Sequence, residues 1–412
     1  MAKLLKLAWR DIWRNRRRSL ITMSAIVFAL LIITMAHSIQ NGTYDAMEEV
    51  AVRVFMGDVQ IHRTGYYDER TFSYSIETDE RNWAAFLDSL DWVDAWSMRL
   101  SGFGLMSSDS SSVGGMIVGI DPEREYDVST FPARPVAGER LAADDDQRVL
   151  LGRTLARNLD VTVGDTVVVL TQGYRNAMGA DLYVVKGLLR TGNPDVDRSM
   201  MVMNLDDAQF LFSMENRFTE LVLRTDDFRR APSFADRAGA ALDDGAFEVM
   251  PWTELMPEIQ QARALDDVGN YIFYMFLLLM VGFEIFNTTM MSVMERVREF
   301  GVMMSIGMKP RTATALVAVE MVIKVALAAC LGLLLAAALI TYFRANPIPL
   351  SQELRDMYET FGFTVEGFSF SASRRIFVQP LMWVGSIALA ALAYPMLRIH
   401  RFTPIEALRR FK

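Results

Sequence analysis

The chain has 412 residues, of which 51% are apolar and 22% charged, with a formal net charge of −8 and a mean hydropathy of +0.17. That mixture excludes one soluble domain of ordinary composition and fits a membrane protein carrying a large polar domain. A single cysteine, Cys330, leaves the polar part without a disulfide, so it must be stable from its own core.

Residues 1–19 read as a basic amphipathic helix. Leu4, Leu5, Ala8, Ile12 and Trp13 fall near one face, and Trp9 and Trp13 suit a membrane interface. Four apolar runs follow that are long enough to cross a bilayer, at 20–39, 271–293, 312–342 and 378–399. The first lacks a cleavage site and reads as an uncleaved signal anchor. Residues 40–270 form a polar α+β domain in which short strands and helices alternate. Its lobes are expected at 40–147 and 148–253, followed by a stalk at 254–270. In the first lobe 52–62 reads as a strand, and 79–90 as a helix burying Trp83, Phe86, Leu87 and Leu90. In the second, 166–171 and 181–190 read as paired strands around a polar loop, 172–180. From Glu254 the pattern stays helical to about Arg298. Residues 294–311 form a short charged segment, and 343–377 a loop with a helix at 351–361 capped by Ser351. Residues 400–412 form a basic tail.

Charge orients these pieces. Residues 1–19, 294–311 and 398–412 carry net charges of +6, +2 and +4, whereas 40–270 hold 21 basic and 40 acidic residues. Short basic segments stay in the cytoplasm. Both termini and 294–311 are therefore expected inside, and 40–270 and 343–377 outside.

Enzymatic chemistry finds no support in the residues. No P-loop occurs, His37, His62 and His400 are scattered, and the serines at 107–112 lack a G-x-S-x-G context. Neither a metal site nor a cofactor is expected in this chain. Two charges lie within apolar runs, Glu284 and Lys324, and are expected to pair across the second and third spans.

The order of one span, a large polar domain and three more spans meets a specific motif between spans two and three. It reads Glu295-Arg296-Val297-Arg298-Glu299-Phe300-Gly301, then Ser305-Ile306-Gly307. With L-L-G-R-x-L-A-R-N-L at 150–159, V-G-D at 163–165 and P-I-E-A-L-R at 404–409, the chain resembles the permease subunits of type VII ABC transporters. These are the MacB/FtsX-like permeases, and G-D-V-Q-I-H at 57–62 is similar to their lipoprotein-releasing branch, LolC and LolE. The resemblance implies an integral membrane α-helical protein of the bacterial inner membrane. Four transmembrane helices would carry a two-lobed extracytoplasmic α+β domain inserted between helices 1 and 2. It further implies a partner ATPase dimer that binds the ATP and Mg, a second permease subunit and no nucleic acid. Residues 294–311 would be the coupling helix, with Glu295, Arg296, Arg298, Glu299, Phe300, Gly301 and Gly307 meeting the ATPase and Phe300 as its apolar anchor. Lipoprotein cargo would be lined by Met35, Phe273, Phe276 and Phe283. A periplasmic carrier would dock at Tyr174, Arg175 and Met178. The alternative is a mechanotransmission permease that drives a periplasmic partner, an efflux adaptor or a cell-wall hydrolase, without moving substrate.

Overall fold

A computed structural model describes residues 2–133, 135–191, 194–242, 245–355 and 367–400. Packing divides the chain into two units, one of residues 1–45, 263–348 and 367–412, the other of residues 46–262 and 349–366.

Among the described residues, six helices build the first unit: α1 (Ala2–Arg14), α2 (Arg16–Ala51), α3 (Pro257–Glu295), α4 (Val297–Ser305), α5 (Pro310–Ala345) and α6 (Arg374–His400). Of these, α2, α3, α5 and α6 are long and apolar enough to cross a membrane. Their shared core gathers Ile26, Leu30, Ile285, Met321, Ala328 and Val384. Gly332 of α5 lies so near α2 that a Cβ there would come within 3.2 Å of the Val27 carbonyl. At one end α2 and α3 are tied by polar bonds. Tyr44 donates to Asp266 at 2.5 Å, Gln40 to Asp267 at 2.9 Å and Arg263 to Asn41 at 2.9 Å.

The expected unbroken helix from 254 to 298 is interrupted twice. Met256 takes φ −128° and ψ 63°, as a residue before proline tends to leave the helical region, and α3 starts afresh at Pro257. It ends at Glu295, because Arg296 turns the chain with φ −99° and ψ 5°.

The second unit carries a ten-stranded mixed sheet and a two-stranded one. Its strands are β1 (Val59–Arg63), β2 (Ile76–Glu77), β3 (Val93–Ser107), β4 (Ser112–Ile120), β5 (Ala137–Gly138), β6 (Arg148–Gly152), β7 (Thr166–Gln172), β8 (Met178–Leu189), β9 (Met200–Asn204), β10 (Arg217–Phe218), β11 (Glu220–Thr225) and β12 (Phe247–Pro251). β2 and β10 pair only with each other. The fifteen residues of β3 serve two sets of partners. Val93–Arg99 pairs with β11, which leads on through β1 to β12. Arg99–Ser107 pairs with β4, and on the opposite edge Gly104–Ser107 pairs with β7. From β4 the pairing continues through β9, β6 and β8 to β7, so six strands close into a ring.

This explains why the lobes do not divide at 147/148. One core draws on residues 52–96 and 218–252, around Trp83, Trp92, Phe218 and Phe234. A second draws on 100–214, around Tyr183, Val185, Met201 and Phe212, and a third on 118–202, around Phe131, Leu141, Leu150 and Val202. The sequence-based division fails because β11 and β12 return late in the chain to pair beside β3 and β1. Arg99 sits where β3 changes partners, fully buried, with both nitrogens of its fork on Glu125 at 2.5 and 3.1 Å.

Local expectations are met in part. The helix expected at 79–90 is Trp83–Asp88, capped by Asn82, which accepts from the Ala85 N–H at 3.0 Å. The strand expected at 52–62 begins only at Val59. Val52–Met56 is a π-helical turn closed by the Gly57 N–H on the Val52 carbonyl at 2.9 Å, and Gly57 takes φ +71°. Of the helix expected at 351–361, residues 352–355 are helical, with the Leu354 N–H 3.4 Å from the Ser351 Oγ. The remainder, like the 404–409 motif, lies outside the described residues.

Candidate functional site

The charged stretch 294–310 folds as a nine-residue helix between two turns. Its apolar positions recur at helical spacing, and Val297, Phe300, Gly301 and Met304 are all buried. Phe300 and Met304 meet Val293, Ala313, Val317 and Ile399 in a small core of their own. The helix stops at Gly307. Its N–H donates to the Met304 carbonyl at 3.1 Å and that of Met308 to Met303 at 3.0 Å, with Gly307 at φ +102°. These two bonds make a Schellman end, which needs a left-handed residue where Gly307 stands.

The charges of this stretch have partners in α1, α2 and α5. Arg296 is buried and donates to Asp11 at 2.6 Å, to Glu320 at 3.2 Å and to Glu299 at 3.3 Å, while its guanidinium lies 5.1 Å from the centre of the Phe300 ring. Lys324 reaches Glu320 at 2.8 Å. Asp11, Arg296, Glu320 and Lys324 thus form a buried quartet of zero net charge. Around it, Arg14 donates to both oxygens of Glu299 at 3.2 and 3.3 Å, and Arg18 to both oxygens of Glu295 at 2.6 and 2.8 Å. Partial burial pushes the Glu299 carboxyl up, but hydrogen bonds from Arg14 and Arg296 outweigh it and hold the group below its ordinary range.

Two expectations are corrected here. Phe300, Arg296 and Gly301 do not face outward: Phe300 is 0% exposed and belongs to the core under α4, Gly301 is buried beside it, and Arg296 is turned inward onto Asp11 and Glu320. The exposed apolar side chains are Val302, at 45%, and Ile306, at 83%, beside exposed Arg298. The amphipathic pattern marks two faces but not which one meets the rest of the chain. Glu284 and Lys324 also do not pair. Lys324 takes Glu320, one turn earlier on its own helix, and Glu284 accepts from Thr288 at 2.9 Å. A partner four residues away needs no alignment between helices.

Sequence reasoning passed over Asp11, Arg14, Arg18 and Glu320. Two signals were present: Asp11 is the lone acid among the first nineteen residues, and Glu320 stands four positions before Lys324 in an apolar run. In α1, Ala8, Asp11 and Ile12 are buried, whereas Leu5, Trp9 and Trp13 form an exposed stripe with the two indoles 6.0 Å apart.

The other expected sites are more scattered. Met35 is half-buried, and Phe273, Phe276 and Phe283 are exposed. Tyr174 and Arg175 sit in a tight turn, Tyr174–Asn176, pinned by the Tyr174 N–H on the Phe212 carbonyl at 2.8 Å. A Cβ at Gly173 would fall 2.2 Å from that carbonyl, so the turn lies flat on the domain. Tyr174 and Arg175 line a cleft of about 680 Å³ with His62, Tyr66, Arg70 and Glu220. Met178, at 80% exposure, belongs to a different groove, with Phe103, Leu105 and Leu170.

Comparison with known proteins bears on both units. Residues 19–241 match the MacB-like periplasmic core domain family, and residues 271–398 match the FtsX-like permease C-terminal family. The lipoprotein-releasing system transmembrane protein LolC of Neisseria meningitidis serogroup B is 25% identical over 309 residues, 72% of this chain and 71% of that one. LolC of Xylella fastidiosa strain Temecula1 is 25% identical over 201 residues, 47% of this chain and 48% of its own. Among solved structures, the periplasmic region of MacB from Actinobacillus actinomycetemcomitans aligns with a TM-score of 0.35 at 16% identity, over 50% of this chain and 94% of that one.

Proposed function

The chain belongs to the MacB/FtsX-like family of ABC-transporter permeases, and from that premise we propose that it is the membrane subunit through which a separate ATPase drives release of lipoproteins. The observation that carries this reading is the mounting of α4. Its outward face offers Arg298, Val302 and Ile306, while Arg296 and Phe300 fix its inner face to the bundle. A push on such a helix moves the bundle rather than the helix alone.

In this reading α4 lies at the cytoplasmic face with both termini, as the basic segments favour, and α1 rests its Leu5-Trp9-Trp13 stripe on the inner membrane surface. ATP and Mg belong to the partner ATPase, and a second permease subunit completes the assembly. The polar domain, inserted between the first and second spans, faces outward as two lobes. Motion reaches it along α2 and α3. At about 1.5 Å per residue the 39 residues of α3 make a rod of about 58 Å. Phe273, Phe276 and Phe283, exposed on the single chain, would line the path of the acyl chains with Met35, and the Tyr174–Met178 region would meet a carrier. The choice of lipoprotein as cargo leans on the two LolC relatives.

Reconstitution with the partner ATPase and second permease in liposomes bearing a triacylated lipoprotein tests this. ATP-dependent release to a soluble carrier is expected, and Val302→Asp with Ile306→Asp should abolish both release and stimulated hydrolysis. Coupled hydrolysis without release would replace lipoprotein export by force transmission to a periplasmic partner.

A further inference from the structure

One face of α1 is left uncovered by the described residues of its own chain. Ala8, Asp11 and Ile12 turn inward, whereas Leu5, Trp9 and Trp13, spaced four residues apart, are 50, 48 and 48% exposed. Lys6 and Arg10 follow one position behind Leu5 and Trp9 and make a second exposed row beside the first. Arg16 and Arg17, also exposed, open α2 directly after the helix.

The basic residues of this region divide into two sets. Arg14 and Arg18 are held by Glu299 and Glu295. Lys6, Arg10, Arg16 and Arg17 form no ion pair among the described residues, and Arg16 uses its Nε on the Trp13 carbonyl at 3.3 Å. Four uncompensated cations thus flank a stripe of Leu and Trp. Water suits the cations but not the indoles, and an apolar partner surface suits the indoles but not the cations one position away. A bilayer surface with anionic headgroups offers both, an acyl boundary to the stripe and phosphates to the basic row.

The chain brings that surface to α1. Trp13 stands seven residues before Leu20, where the apolar run of α2 begins. At about 1.5 Å per residue that is about 10 Å of helix. The headgroup layer is itself about 5–8 Å thick. The exposed stripe also runs on into Leu20 and Ile21, 55 and 59% exposed, at the start of the span. We propose that α1 is a binding surface for anionic phospholipid of the cytoplasmic leaflet. Leu5, Trp9 and Trp13 seat at the acyl boundary, and Lys6, Arg10, Arg16 and Arg17 hold the phosphate headgroups. This rests on the placement of α1 at the cytoplasmic face and is independent of the cargo. It sets leaflet charge against α4, because the same helix carries Asp11 and Arg14, which hold Arg296 and Glu299.

The test places the full chain in nanodiscs of phosphatidylcholine, alone or with about 30% phosphatidylglycerol, and follows amide hydrogen exchange of residues 2–14 by mass spectrometry. Exchange is expected to be at least threefold slower with phosphatidylglycerol. The slowing should vanish in 0.5 M salt, where the Debye length is about 4 Å. Lys6→Gln with Arg10→Gln should lower the factor by at least half, while Lys3, Arg14, Arg16, Arg17 and Arg18 remain to hold the orientation. Trp9→Ser with Trp13→Ser should speed exchange in both kinds of disc. Unchanged exchange across α3 shows that each variant is folded. Equal exchange with and without phosphatidylglycerol, or a slowing undiminished in Lys6→Gln with Arg10→Gln, overturns the proposal. So does a slowing that appears only on adding the partner ATPase, which would give this face to that subunit. Lipoprotein release is not read here, so failure of that reading leaves the result standing.

Discussion

Arg296 donates to Asp11 at 2.6 Å, joining residues 285 positions apart in the chain. Arg296 contacts α1 through Asp11 and α5 through Glu320 at once. Removing one member of a buried ion pair leaves the others uncompensated and typically costs about 3–5 kcal/mol. Arg296→Met is therefore expected to lower the stability of the full chain in detergent by that amount. A loss below about 1 kcal/mol would mean that water reaches the quartet.

The two candidate partners of Lys324 separate in a double-mutant cycle. Glu320→Gln with Lys324→Met should show a coupling above about 0.5 kcal/mol, and Glu284→Gln with Lys324→Met a coupling near zero. Denaturant titration of the three single variants, the two double variants and the wild type measures both. Equal couplings would return Glu284 to the network.

Phe300 and Ile306 should behave oppositely. Phe300→Ala empties a core position and is expected to cost about 3–5 kcal/mol. Ile306→Asp alters a side chain that is 83% exposed and should shift stability by no more than about 0.5 kcal/mol. In the presence of the partner ATPase, only Ile306→Asp should uncouple hydrolysis from an intact fold. If Ile306→Asp leaves coupling normal, the outward face of α4 is not the contact.

Gly307 terminates α4 at φ +102°, with open space where a Cβ would stand. Strain rather than crowding sets the cost, so Gly307→Ala should lose about 1–3 kcal/mol. Gly269, inside α3 and equally unobstructed, is the control: Gly269→Ala should be neutral or stabilising. Thermal melts of the pair decide it.

Burial pushes the His62 imidazole down to about 4, with Arg70 adding to the shift. The unfolded chain titrates near 6.5. Between those values the unfolded state holds more protons, so this contribution favours folding above pH 6.5 and is lost as pH falls towards 4, about 3 kcal/mol in all. His62→Phe should flatten the stability profile in that window while leaving the slope above pH 7 unchanged. An unaltered slope between pH 4 and 6.5 would show that His62 is hydrated.

Local periodicity made much of this molecule legible. The four spans, the helix Trp83–Asp88 and the paired strands Thr166–Gln172 and Met178–Leu189 follow from residue patterns within short windows. The ring of strands was not legible, because the pairing of Gly104 with Thr171 depends on residues distant in sequence and leaves no local mark. The same limit misplaced Phe300. Its helical spacing was plain, but the core it fills is assembled from α3, α5 and α6. The quartet was half visible: Glu320 and Lys324 are readable as neighbours on one helix, whereas the reach of Arg296 back to Asp11 is not.

The bond from Arg296 to Asp11 also sets an order of events during synthesis. At about 5–20 residues per second, the ribosome adds the intervening 285 residues in about 15–60 seconds. Throughout that interval α1 is already made, but of the guanidinium groups beside Asp11 only that of Arg14, 3.8 Å away on the same helix, yet exists. The first helix can settle into its final seat only after the third span is drawn in with Glu320. Assembly of the bundle therefore closes from the late segments back onto the earliest one.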